Sequence, residues 1–397
     1  VSAPASVSWS RPEPFGAWVR LGDGALVAVD ARLAARLGVP HGRAVGAAPR
    51  PLELHVAVTA RCPAPCTGCY LDARPDGHEP SFEALAARLA EAREAGVSTV
   101  AFGGGEPLTR GDLGRLAAEA RRLGLVPVMT TSGIGLTAAR AAELRAFAQI
   151  NVSHDGTGGA YEAVRGFDAA AHAERAVSIL AAAGIPVGVN VVLTRGSFPH
   201  LDATASRAAD LGAGEIQLLR YKPAGRADDA GYDARRLTAD QARALWPAIE
   251  RLVAARRLRV RIDCAMVPLL SDALLDSVPD AAKALASLGV FGCEAARNLG
   301  ALTALGHPAP CSFFSLPGRG EGLVPLGRAP RAIAAAWDEG EALARFRAYH
   351  AAPAEPCRSC ALFPVCRGGC QVVSRRAADG SFGPDPECPR VARALGA

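Results

Sequence analysis

The placement of eleven cysteines constrains this chain more than any other feature. Three lie in Arg61-Cys62-Pro63-Ala64-Pro65-Cys66-Thr67-Gly68-Cys69-Tyr70, spaced C-x3-C-x2-C, directly after an apolar run from Leu52 to Val58 that reads as a strand. Seven more fall between Cys293 and Cys388, and only Cys264 stands apart. A loop this tight brings three sulfurs to one small object, and thiolates select zinc, copper or iron–sulfur clusters. The chain opens without a charged n-region and has no uninterrupted apolar run of about 18 residues. The expectation is therefore a cytoplasmic protein with no membrane partner. In that reducing compartment metal binding, not a disulfide framework, is the default reading of so many thiols.

At 397 residues the chain exceeds the usual single-domain size, and half of it is hydrophobic, so a large core is available. The net charge of +5 says little about partners. Lysine occurs only at Lys222 and Lys283, and the arginines are scattered among alanine and glycine, so no basic stripe for nucleic acid is expected.

Along the chain, residues 1–50 begin with a Pro- and Ser-containing tail. Ala17 to Leu21 and Ala25 to Val29 then flank Gly22-Asp23-Gly24 and read as a hairpin, followed by a helical stretch from Ala31 to Leu37. This N-terminal extension is too small for a core of its own. Residues 51–270 alternate short apolar runs with amphipathic ones. The strands expected are Leu52–Val58, Ser98–Phe102, Val126–Thr131, Gln149–Ser153, Val187–Leu193 and Glu215–Leu219. The helices between and after them are Ser81–Ala95, Arg110–Leu123, Ala138–Ala148, Ala169–Ala183, His200–Leu211 and Ala239–Ala255. Six β-α units in series predict an α/β fold with a parallel sheet curled into a partial (β/α)6 barrel. Active sites in such sheets gather beyond the carboxyl ends of the strands, where the cysteine loop falls. Residues 271–397 carry helical pieces at Pro279–Leu288 and Arg331–Tyr349, separated by Gly, Pro and Cys. That region has little apolar area of its own and needs metal staples to fold.

The second strand runs into Gly103-Gly104-Gly105-Glu106-Pro107, where a bare backbone can approach a ligand closely. The cysteine loop with an aromatic residue behind it, and this glycine loop one β-α unit later, resemble the motifs of the radical S-adenosylmethionine (radical SAM) enzymes. The resemblance implies that Cys62, Cys66 and Cys69 hold a [4Fe-4S] cluster whose open iron is chelated by SAM. It also implies that Tyr70, Gly103, Gly104, Gly105, Glu106 and Pro107 bind the cofactor. Polar groups at later strand ends are further expected contacts: Thr131, Ser132, Ser153, Asp155, Asn190, Gln217 and Arg220. Arg165, in Val164-Arg165-Gly166, is a candidate catalytic residue, and Lys222 a further candidate. His154 reads more simply as structural.

Towards the C-terminus, C-x12-G-x4-C ending at Cys311 precedes Cys357-x2-Cys360-x5-Cys366-x3-Cys370 and Cys388. This series is similar to the SPASM domain of radical SAM enzymes that modify peptides. The resemblance implies two auxiliary [4Fe-4S] clusters, three in all. One would use Cys357, Cys360, Cys366 and Cys388, the other Cys293, Cys311 and Cys370. Cys264 is the spare thiol, and three readings of it stay open: fourth ligand, hydrogen-atom donor to a substrate radical, or buried bystander.

An enzyme follows from these parts. An electron enters the cluster at 62–69 and cleaves SAM to a 5′-deoxyadenosyl radical, which abstracts hydrogen from a residue of a ribosomally made precursor peptide. A cross-link, a thioether or an epimerised residue would result. The partners implied are the precursor peptide, an electron donor such as flavodoxin or ferredoxin, and a leader-recognition protein. Maturation of a peptide-derived redox cofactor is one alternative, and oxidation of a sulfatase residue to formylglycine another. The second is weakened by Ser312, which stands where that subgroup places an aspartate base. A cluster carrier without catalysis has no need of the glycine loop.

Overall fold

The computed structural model describes residues 6–13, 15–22, 26–42, 50–228, 231–287, 290–314, 332–377 and 380–396. The chain divides into two compact units, Val1–Arg50 and Pro51–Ala397.

In the first unit, β1 (Val7–Glu13), β2 (Gly16–Leu21) and β3 (Leu26–Asp30) form an antiparallel sheet in that order. Helix α1 (Ala31–Arg36) follows, capped by Asp30, whose carboxylate accepts from the Leu33 amide at 2.7 Å. Ala17, Val19, Val29 and Ala34 are its small buried cluster. The expected hairpin is thus the inner and outer part of a three-stranded sheet, and its tip at Asp23 and Gly24 lies outside the described residues. Strand β1 was read as tail because of its Pro and Ser content. Pro12 is tolerated there because β1 is an edge strand, where a missing N–H costs no ladder bond.

The second unit is built on a parallel sheet whose strands follow sequence order. They are β4 (Glu53–Thr59), β5 (Thr99–Gly104), β6 (Val126–Thr131), β7 (Gln149–Ser153), β8 (Val187–Leu193), β9 (Glu215–Arg220) and β10 (Arg259–Ile262). The last is a seventh parallel strand beyond the six expected. Around them pack α2 (Phe82–Glu94), α3 (Leu113–Arg122), α4 (Ala138–Glu143), α5 (Gly159–Arg165), α6 (Ala170–Ala182), α7 (Leu201–Asp210), α8 (Tyr232–Arg235) and α9 (Ala239–Ala255). Local chemistry sets the helix starts. Ser81 accepts from the Ala84 amide to open α2, and Thr238 with Gln241 forms a capping box that opens α9. Leu85, Leu89 and Ala92 then fall on the buried stripe of α2.

The cysteine-rich region adds to this same sheet. β11 (Leu299–Leu302) pairs parallel with β4, and β12 (Pro308–Ala309) pairs antiparallel with β11. Trp337 closes over β11, and a Cβ at Gly300 would stand 2.2 Å from its ring.

Candidate active site

The cysteine loop leaves β4 at Thr59 and is pinned on several sides. Cys62 N–H donates to Arg74 O at 2.9 Å and Thr67 N–H to Arg165 O at 3.0 Å. Arg226, in the turn after β9, donates its backbone N–H to Cys69 O at 2.9 Å and its Nε to Cys66 O at 3.0 Å, and its guanidinium also binds Asp72. Tyr221 fills the space beside Gly68, where a Cβ would stand 3.1 Å from the phenol oxygen. Sequence reading missed Tyr221 and Arg226. The Gly225-Arg226 pair directly behind the sixth expected strand was the available signal.

The glycine loop is joined to the cysteine loop through its backbone. A Cβ at Gly104 would lie 2.2 Å from Thr59 O, and one at Gly105 would lie 2.0 Å from Arg61 O. Gly105 and Glu106 donate their amides to those two oxygens at 2.7 Å each. These two glycines splice the loop to the start of the cysteine loop, and only Gly103 faces open space. Glu106, nearly fully buried, ties in the next strand. Its carboxylate accepts from Thr131 Oγ1 (2.6 Å), Ser132 N (2.7 Å), Ser132 Oγ (2.5 Å) and Leu108 N (3.0 Å). Thr131 and Ser132 are thereby committed to Glu106. Pro107 opens a short turn and does not line the cavity described below.

Asp155 is fully buried behind the cavity wall, where it accepts from Val192 N at 2.7 Å and pairs with Arg165. Arg165 does reach the cavity, its guanidinium 3.9 Å from Cys66 Sγ. Asp155 therefore positions a cation at the thiol loop. Asn190 and Gln217 belong to a ladder inside the barrel. Asn151 Nδ2 donates to Asn190 Oδ1 at 2.9 Å and to Gln217 Oε1 at 3.4 Å, and Gln149 donates to Asn151 Oδ1 at 2.7 Å. Ser153 lines the wall above them. Arg220 is spent elsewhere: it donates to both oxygens of Asp385 (2.6 and 3.0 Å) and to Glu387 at 2.8 Å, fixing β9 to the cysteine-rich region. His154 is wholly enclosed, and burial holds its pKa below the usual histidine range.

All of this surrounds a cavity of about 570 Å³. Small side chains such as Ala57, Ala101, Val128 and Gly103 leave the barrel interior open. Its wall includes Cys62, Cys66 and Cys69, and also Cys264, Cys293, Cys311 and Cys370. Tyr70 and Phe313, each just beyond a cysteine, pack as a tilted pair with centroids 4.4 Å apart, and Lys222 Nζ lies 4.1 Å over the Phe313 ring. Cys357, Cys360, Cys366 and Cys388 share a separate small pocket with Pro268, Leu362, Phe363 and Val391. Burial, reinforced by neighbouring thiols, pushes Cys62 up to about 11 and Cys311 and Cys357 to about 12. Such thiols ionise only when a cation takes the proton's place. Among the described residues no three His, Cys, Asp or Glu converge on a single-ion site.

Residues 56–206 match the Radical SAM superfamily model. The chain is 31% identical over 354 residues to the PqqA peptide cyclase of Streptomyces rochei, covering 87% of this chain and 90% of that protein. It is 30% identical to the mycofactocin maturase MftC of Mycolicibacterium smegmatis, covering 85% and 82%. The chain belongs to the radical SAM superfamily. Its fold is that of SuiB from Streptococcus suis, solved with the precursor peptide SuiA (TM-score 0.74, 15% identity, 97% of this chain and 100% of that one).

A radical SAM enzyme carries one [4Fe-4S] cluster and SAM, and the residues fit both. Three thiols on a backbone-pinned loop face the cavity, no fourth lies within that loop, and the open space over Gly103 adjoins them. Among the described residues no helix is long and apolar enough to cross a membrane.

Proposed function

We propose that this radical SAM enzyme modifies a ribosomally made precursor peptide within the barrel cavity. The observation carrying the reading is that one cavity joins the Cys62/Cys66/Cys69 loop to cysteines of the C-terminal region. When bound, the cluster and SAM supply one-electron cleavage of a sulfonium C–S bond and a radical able to take hydrogen from an unactivated carbon. The chain's own residues bind, orient and exclude water. Arg165 sets a cation beside Cys66, and the Gly105 and Glu106 amides fix the loop's start. The Gln149–Asn151–Asn190–Gln217 ladder offers amide donors and acceptors to a peptide backbone, while Ala57, Ala101 and Val128 keep the opposite wall dry.

Two auxiliary [4Fe-4S] clusters complete the reading, one on Cys357, Cys360, Cys366 and Cys388, the other on Cys293, Cys311 and Cys370. They would take the surplus electron or hold substrate. Residues 51–270 are then the catalytic barrel and 271–397 its cluster-bearing extension. In the N-terminal unit, β3 is an edge strand with Leu26 and Val27 exposed, beside exposed Leu33 on α1. That edge suits an extended leader segment added as a fourth strand, with or without a separate recognition protein. The electron donor would be a flavodoxin or ferredoxin, and the setting cytoplasmic.

Anaerobic incubation with SAM, reductant and a candidate precursor tests the proposal by following 5′-deoxyadenosine and peptide mass. A cross-link or thioether removes two hydrogens, and epimerisation in heavy water adds deuterium at one carbon. SAM cleavage that no peptide accelerates or diverts would overturn it. The two curated relatives favour a second reading, maturation of a peptide-derived redox cofactor, which also begins with peptide modification. Formylglycine formation gains no support: Ser312 lies within hydrogen-bond reach of His55 Nδ1 (3.2 Å) and offers no carboxylate base.

A further inference from the structure

We infer that Glu53, His55 and Ser312 form a proton relay on the cavity wall, which carries away the proton a peptide sheds when a new bond is made at its radical carbon. The inference rests on the reading that the cavity modifies a peptide, and it narrows that reading to bond formation rather than epimerisation.

Strand β4 supplies two of the three groups. Glu53, His55 and Ala57 alternate with Leu54 and Val56, so the first three share the face that lines the cavity while Leu54 and Val56 join the core. In register, His55 stands between Ala101 of β5 and Ala301 of β11. Both neighbours end at a methyl group and also line the cavity, which leaves room for the imidazole. Strands in the middle of a parallel sheet are ordinarily apolar runs, so two ionisable residues here mark a departure from what packing alone favours.

Hydrogen bonds join the three groups in one direction. Glu53 Oε1 lies 2.8 Å from His55 Nε2, and His55 Nδ1 lies 3.2 Å from Ser312 Oγ. A carboxylate only accepts, so Nε2 carries the imidazole proton and Nδ1 is left to accept from the Ser312 hydroxyl. Burial works against the Glu53 charge, but the bond to His55 and the charges of His55 and Arg261 prevail and hold it below the usual carboxylate range. Ser312 is in turn hydrogen-bonded to the Tyr70 hydroxyl.

The ends of the relay lie in useful places. Ser312 follows Cys311 and Tyr70 follows Cys69, so the upper end opens between two cysteine-bearing segments of the cavity wall. The lower end is at the start of β4, where the Glu53 side chain is 39% exposed and can pass a proton to water. A cross-link or thioether takes two hydrogens from the peptide. One leaves as an atom, to the radical. The other leaves as an electron, to an acceptor of the iron–sulfur class, and as a proton, to Ser312 Oγ, while Ser312 passes its own proton to His55 Nδ1. Glu53 then holds the imidazolium. Epimerisation takes one hydrogen atom and returns one, so it sheds no proton and has no use for the relay.

The test uses the full-length holoenzyme with SAM, reductant and precursor, and reads modified peptide against 5′-deoxyadenosine. His55→Gln keeps hydrogen-bonding groups but takes up no proton. It should cut peptide modification by on the order of 10²–10⁴-fold and lower the yield per 5′-deoxyadenosine. His55→Gly should regain product in proportion to added imidazole, a response that a merely structural histidine would not give. Glu53→Gln, at a partly exposed position, serves where a His55 variant does not fold: it should lower the yield by a smaller factor, and an unchanged yield overturns the relay. So does wild-type yield in His55→Gln, a His55→Gly chain indifferent to imidazole, or an epimerised product. Wild-type enzyme that modifies no peptide would instead sink the reading beneath it.

Discussion

The two C-terminal thiol sets have the same chemistry and opposite surroundings. Cys264, Cys293, Cys311 and Cys370 open on the cavity beside Lys222, Phe313 and the radical SAM loop. Cys357, Cys360, Cys366 and Cys388 sit behind them in a pocket of about 20 Å³, with Ser271 Oγ 3.3 Å from Cys388 Sγ. The first set faces a cavity of about 570 Å³, whereas the space at the second is far smaller. Exposure and hydrogen bonding to sulfur are the levers by which a protein tunes such centres. On the proposed reading, the difference would set one group of thiols apart for chemistry or electron exchange and the other for holding the chain together.

The largest effect should come from removing the radical SAM loop itself. Cys62→Ala/Cys66→Ala/Cys69→Ala is expected to abolish 5′-deoxyadenosine formation while both C-terminal sets keep their iron, read by activity and iron analysis on one sample. Parallel loss of all iron would erase the distinction between the sites. Next, Cys366→Ala should abolish soluble expression or lower the melting temperature sharply, since a structural metal site contributes on the order of 10 kcal/mol. Cys311→Ala should leave the fold largely intact and stop peptide modification. Equal thermal losses would break the comparison.

Arg220→Met comes third. It strands Asp385, which accepts the Cys370 amide at 2.9 Å as well as the guanidinium. Breaking one side of such a buried pair costs about 3–5 kcal/mol, measurable by denaturant titration of the holoenzyme. Asp385→Asn with Arg220→Met should recover part of that loss.

The smallest effect concerns pH. His350, buried with no hydrogen-bond partner on either ring nitrogen among the described residues, is held down to about 4 by burial and by Arg367 and Arg297. Because the folded form binds its proton less readily than the unfolded chain, its contribution is complete above pH 6.5 and is lost as pH falls from there towards 4. His350→Phe should flatten stability over that window by on the order of 1–3 kcal/mol. An unchanged slope would show that another group governs it. Arg367 follows Cys366 and pairs with Glu294, next to Cys293.

Much of this was legible in the sequence. The six strands from β4 to β9 lie within two residues of their expected bounds, because buried parallel strands read as short apolar runs between amphipathic helices. β10 was missed because Arg-Val-Arg-Ile is short and half charged, its arginines reaching Glu215 at the sheet's edge. Helix α5 escaped because seven residues show too little periodicity, although it delivers Arg165. The cysteine loop was read directly from its spacing. The roles of Gly104 and Gly105 were not, since spacing cannot distinguish a glycine facing a ligand from one facing a carbonyl. The ion pairs of Arg220 were not legible either, because Asp385 and Glu387 lie far along the chain, beyond any local pattern.

That distance has a consequence for how the enzyme comes into being. Arg220 waits for Asp385 across 165 residues. Pairings this remote are made late, after local helices and neighbouring strands have formed. During synthesis at about 5–20 residues per second, the barrel therefore spends roughly ten to thirty seconds without its closing contact. Through that interval Arg220 lacks both carboxylate partners and the cavity lacks the wall that Cys293, Cys311 and Cys370 supply. The contact that anchors β9 to the cysteine-rich region is thus made only once Asp385 has been synthesised.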